Sequence, residues 1–123
     1  MRFREFVENA NDSIHKTSVQ GFFTLVNPVT IRRSGYSEEE IIGNYFLELI
    51  HPEYRDKVGR FYADQFSDRI PETYYEFLVL TKRGETIRIG QNTLMLMESD
   101  RIVGFQSIAG DITKQKQAEE ARK

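Results

Sequence analysis

Acid–base, nucleophilic and metal chemistry each need a small set of side chains at workable spacing, and this chain offers few. The histidines are His15 and His51. Neither is accompanied by His, Asp or Glu at the spacing of a metal site or of a nucleophile relay. His51 directly precedes Pro52 at the start of a helical pattern and is read as structural. The run Glu38-Glu39-Glu40 falls in the first turn of a helix, where negative charge suits the dipole. The stretch "GETIRIG" lacks the lysine and the strand-to-helix context of a phosphate loop. With no cysteine there is no disulfide, thiolate metal site or cysteine nucleophile. No catalysis is expected.

The elements that would position any site belong to one domain. A chain of 123 residues, 39% hydrophobic and 29% charged, supports a single core and is too short for two. Its net charge of −2 supplies no basic field for nucleic acid or for an anionic membrane. No apolar run reaches the ~20 residues of a membrane span, and the N-terminus has no signal-peptide order. A soluble, cytoplasmic domain without direct membrane contact is expected.

Phe3, Phe6, Val7 and Ala10 recur at helical spacing, so an amphipathic helix is predicted over residues 1–12. Strand-like runs at 13–17 and 22–26 are joined through Gly21 and predict a hairpin. Asn27 followed by Pro28, and Ser37 followed by Glu40, are helix starts, while Gly35 and Gly43 are stops, so two short helices follow. A longer helix sets Tyr54, Val58, Phe61, Tyr62, Gln65 and Phe66 along one face. Three strands complete the chain, turning at Arg83-Gly84 and at 98–101, the last running over 102–110. Thr113 is placed to cap a helix from Lys114, with Asp111 near its positive end. A polar helix of that length is marginal alone, so residues 114–123 are either the start of a connector or a frayed tail. The predicted architecture is α+β, a five-stranded antiparallel sheet with short helices and one longer helix on one face.

Four segments, in order, carry a resemblance that spans almost the whole chain. "GYSEEEIIG", "LIHPEYRDKV", "LTKRGE" and "GDITKQKQAEE" resemble the helical G-Y-S segment, the H-P-x-x-R run, the K-D-G hairpin and the D-I-T exit of PAS domains. The resemblance implies a sheet of strand order 2-1-5-4-3 cupping a ligand cavity, a core over 13–113, and a connector helix from 114. It implies a sensor or dimerisation module of a larger, bacterial signalling protein such as a histidine kinase or diguanylate cyclase, with the effector domain elsewhere.

The same resemblance narrows the cofactor. Light-sensing flavin members use a cysteine, which this chain lacks, so a flavin–cysteinyl adduct is excluded. Haem-binding members take iron through a histidine on the long helix, and residues 53–66 contain none, so haem is not expected. Matching Glu76 to the family's outward glutamate turns Tyr75, Phe77 and Val79 inward. It also turns Ile89, Gln91, Thr93 and Met95, and Phe105, Ser107 and Ala109, toward the cavity. Gln91, Thr93 and Ser107 are then polar groups in an apolar set, to be satisfied by one another, by the backbone, by water or by a ligand. Arg33 stands where many family members have leucine, on the cavity side. It either faces inward, requiring a carboxylate partner from the protein or an anionic ligand, or is a solvated charge. Arg33, Ile89, Gln91, Thr93, Phe105 and Ser107 are the candidate site, and a small anion the candidate ligand. Leu78, Leu80, Leu94 and Leu96 are expected on the outer face, covered by the N-terminal helix, by a second copy in a homodimer, or by both.

Overall fold

The computed structural model describes residues 12–122, so the helix predicted over 1–12 falls almost wholly outside the described residues. Strands β1 (Ser13–Thr17) and β2 (Phe23–Val26) form the first hairpin. Its turn needs Gly21, whose φ is +96° and whose missing Cβ would lie 2.9 Å from the Tyr45 ring. β2 starts one residue later than predicted because Phe22 leaves the ladder to form an isolated bridge with Tyr45.

Helix α1 (Pro28–Ser34) begins as the sequence requires. The Asn27 side chain accepts the Thr30 N–H at 3.1 Å and also that of Ile14, tying the helix start to β1. It ends at Gly35, φ +81°. Helix α2 (Glu38–Ile41) has the complete capping box between Ser37 and Glu40. Two single 3-10 turns follow, Phe46–Leu49 and Pro52–Tyr54. His51 caps the second, its Nδ1 accepting the Glu53 N–H at 3.1 Å, which is the structural role expected of it. Helix α3 (Arg55–Ser67) buries Val58 and Gln65.

Strands β3 (Glu72–Leu80), β4 (Thr86–Glu98) and β5 (Arg101–Asp111) complete one antiparallel sheet of order β2-β1-β5-β4-β3. Ile50, Val58, Phe77, Ile89 and Ala109 form the core between helices and sheet. Burying Phe77, 1% exposed, contributes roughly 1.5–3 kcal/mol. Helix α4 (Thr113–Ala121) leaves the end of β5. Its start corrects the predicted cap: the Thr113 hydroxyl accepts the Arg88 N–H from β4 and is unavailable to the helix. Asp111 serves instead, accepting the Thr113 N–H at 3.0 Å. Among the described residues no helix is long and apolar enough to cross a membrane.

Candidate functional site

Two hollows lie against the inner face of the sheet. The first, about 80 Å³, sits beneath α1 and is walled by Ser13, Thr30, Arg33, Ile50, Phe77 and Ile89 among others. The second, about 260 Å³, sits beneath the middle and C-terminal half of α3 and is walled by Tyr45, Tyr62, Phe66, Thr93, Phe105 and Ser107 among others. His15, Phe46 and Gln91 line both and form the partition. Each is smaller than the ~300–1,000 Å³ usual for a ligand site, and together they enter that range.

The candidate residues therefore divide. Arg33 and Ile89 face the first cavity, Thr93, Phe105 and Ser107 the second, and Gln91 both. Arg33 is half-buried, and its Nη1 donates to the Ala109 carbonyl on β5 at 3.1 Å, so its aliphatic stem and head lie over the sheet and not in open solvent. Leu80, expected outward, borders the first cavity because β3 ends there and gives way to the hairpin turn. Met95, expected inward, is half-buried and lines neither hollow.

The three inward polar side chains are brought together by the register that pairs Thr93 with Ser107 and Gln91 with Ala109. Thr93 Oγ1 and Ser107 Oγ are 2.9 Å apart. Gln91 Nε2 donates to the Tyr62 hydroxyl at 3.0 Å and to Thr93 Oγ1 at 3.3 Å. Burial pushes the Tyr62 phenol up to about 12, against the opposing effect of the hydrogen bonds from Thr93 and Gln91, so it stays neutral and protonated. A second network lies beside it: Gln65, 0% exposed, donates through Nε2 to the carbonyls of Ile70 and Thr93 and accepts the Thr73 hydroxyl.

Tyr62 and Gln65 were missed as polar partners because they read as members of a helical stripe whose other members are mostly apolar. The usable signal was that one face of α3 carried two hydrogen-bonding side chains opposite strands carrying three. His15 was missed as well, although Ser13, His15 and Thr17 alternate along β1 just as the cavity-facing residues alternate along β4. Its ring packs edge-on against Phe23, centroids 5.3 Å apart. The residue is half-buried, and desolvation lowers its pKa to about 4. Neither ring nitrogen hydrogen-bonds to a described residue, and His15 lines both cavities.

Among the described residues no Asp or Glu lines either hollow. Among the described residues no group of three or more His, Asp or Glu is placed to hold a metal. The arrangement suits non-covalent binding: apolar and aromatic walls, neutral hydroxyls and amide on one side, a guanidinium on the other.

A family model described as PAS fold matches residues 1–112. The sensor protein kinase WalK of Staphylococcus haemolyticus is 29% identical over 125 residues, covering 99% of this chain and 19% of that protein. WalK of Staphylococcus aureus is 26% identical, covering 99% of this chain and 28% of that protein. The chain thus spans 19% to 28% of the length of these relatives. The crystal structure of the PAS domain of a Colwellia psychrerythraea protein superposes with a TM-score of 0.80 at 24% identity, covering 92% of this chain and 96% of that one. A sensory box histidine kinase/response regulator from Burkholderia thailandensis superposes at 0.78 with 23% identity, covering 98% and 92%.

Proposed function

This chain belongs to the PAS family, and from that premise we propose that it is the sensory module of a larger bacterial signal-transduction protein, binding a small anionic ligand non-covalently. The effector would be a histidine kinase or a cyclase outside this chain, reached through α4. The observation that carries the reading is the pair of cavities on the inner sheet face, one of them lined by Arg33. A desolvated anion gains most from a fixed guanidinium and from preset hydroxyl donors.

A route outward exists in the backbone. β5 runs from Ser107 and Ala109 at the cavities to Asp111, and the Ile112 N–H donates to the Arg88 carbonyl on β4 at 2.9 Å. A ligand that spreads or draws together β4 and β5 would therefore move the base of α4 directly.

The test is a thermal-denaturation screen of small organic acids, together with mass spectrometry of whatever leaves the purified protein on unfolding. A ligand selective for the folded state must raise the melting temperature, and Arg33→Leu is expected to abolish that rise while leaving the fold at least as stable. No bound molecule and no shift with any acid would instead favour a ligand-free dimerisation module. Half-buried Leu78, Leu94 and Leu96, on the sheet face away from the cavities, favour that second reading, and light scattering at several concentrations reads it out.

A further inference from the structure

His15 is an inward-facing group that the hydrogen-bond networks among the described residues leave out. Gln65, Gln91, Thr93 and Ser107 all find partners in one another, in Tyr62 or in the backbone. His15 lies opposite Ser107 in the sheet register, lines both cavities at their partition, and has its ring nitrogens bonded to no described residue. We propose that His15 is the ligand's direct contact and that a small carboxylic acid is bound together with one proton, held between the ligand carboxylate and the His15 imidazole. The proposal rests on the small-acid reading above and deepens it by adding the group that makes binding depend on pH.

The surroundings explain why the proton arrives only with the ligand. Among the described residues the charged or titratable groups facing the cavities His15 divides are Arg33 from α1, Tyr45 from the segment before the first 3-10 turn, and Tyr62 from α3. β2, β3, β4 and β5 contribute neutral side chains there. Without a ligand, burial favours the neutral ring, lowering the imidazole pKa to about 4. A carboxylate beside the ring reverses this effect, because the ion pair it makes with an imidazolium carries no net charge into the apolar enclosure. Reciprocity then requires that an acid which raises the affinity of His15 for a proton is itself bound more tightly as protons become available.

The experiment is isothermal titration calorimetry of the intact chain with sodium benzoate, from pH 5.5 to pH 8 at constant ionic strength, with benzamide as the uncharged isostere. Each pH is run in two buffers of different ionisation enthalpy, which counts protons taken up. Benzoate stays ionised across this window. The expected result is uptake approaching one proton per benzoate, with affinity rising by up to about tenfold per unit fall in pH, and a flat profile for benzamide. His15→Gln is expected to bind benzoate with a flat profile and no uptake, and His15→Asn repeats the test if the glutamine variant does not fold. Benzoate binding without proton uptake in the wild type, or a pH slope that survives in the variants, overturns the role of His15 and leaves the acid-binding reading standing. Failure of benzoate to bind at every pH overturns both.

Discussion

Two polar regions share the inner face of one sheet and are completed in opposite ways. Beneath the C-terminal half of α3, Gln65 is wholly buried and its amide is bonded on both sides, joining α3, the segment at Ile70, β3 and β4. Beneath α1 and the first 3-10 turn, His15 has an aromatic neighbour, no hydrogen bond to a described residue, and open space on two sides. The first region resembles the satisfied polar network of a core, which fixes one arrangement of helix on sheet. The second has the enclosure without the satisfaction. Burial of a polar group is therefore uninformative by itself; whether the protein completes its hydrogen bonding separates a structural group from one kept for a ligand.

That contrast is broken most directly at Gln65. Gln65→Leu keeps much of the volume but strands the carbonyls of Ile70 and Thr93 and the Thr73 hydroxyl, and each unpaired buried group costs ~1–3 kcal/mol. Some of these groups will reach water, so a loss of about 3 kcal/mol is expected in urea denaturation. A loss below about 1 kcal/mol would mean that the network is decoration and that the two regions do not differ in kind.

The complementary measurement is the stability of the ligand-free protein against pH. Folding lowers the His15 pKa from 6.5 to about 4, so the unfolded chain takes up a proton in acid that the folded chain refuses. The contribution of the neutral ring is fully present above pH 6.5 and declines as pH falls toward 4. The slope is at most ~1.4 kcal/mol per pH unit, giving a loss of about 2 kcal/mol by pH 5 relative to His15→Gln. Comparing the two proteins cancels the carboxylates, which titrate in both. Parallel stability curves would place His15 in contact with bulk water and remove the basis for coupling its proton to a ligand.

Fold and site differed in how far the residues disclosed them. The strands, the α+β layering and the caps at Asn27 and Ser37 were legible because each is set by local chemistry or by alternation along a strand: a side chain that accepts an N–H two or three residues on, a glycine at positive φ, a period of two; the strand order came from the resemblance to PAS domains. The division of the cavity was not legible. It depends on Phe46 and His15 meeting Gln91 across elements far apart in sequence, and nothing in the local pattern encodes that distance. The same holds for Thr113, whose hydroxyl has a good local use as a cap and a tertiary use on Arg88 that wins. Leu80 was misplaced because alternation was carried to the last residue of β3, where the strand is already opening into its turn.

The smallest effect is expected on the opposite face, where the sheet meets α4. Lys116 Nζ lies 2.9 Å from Glu76 Oε1, and the Tyr74 hydroxyl donates to Glu76 Oε2 at 2.9 Å. These hydrogen bonds, with Lys116 the larger influence, hold the Glu76 carboxyl below its ordinary range, and Glu76 in turn raises Lys116. The pair is thus lost as pH falls through the lowered Glu76 value. Both side chains are about one-third exposed, so solvent screens the attraction and Lys116→Ala should leave the urea midpoint nearly unchanged. The local consequence is different. The first turn of α4 is tied to β4 by backbone and by Thr113, whereas the next turn is joined to β3 by the Lys116–Glu76 pair. A helix of nine residues has little stability of its own. Hydrogen exchange should therefore quicken in the distal turns of α4 in Lys116→Ala and Glu76→Gln alike, while the Ile112 amide keeps its protection. Equal protection along the whole helix in both variants would show that the exit helix is held from its base alone. In that case the outer face contributes nothing to how the cavity side is read out.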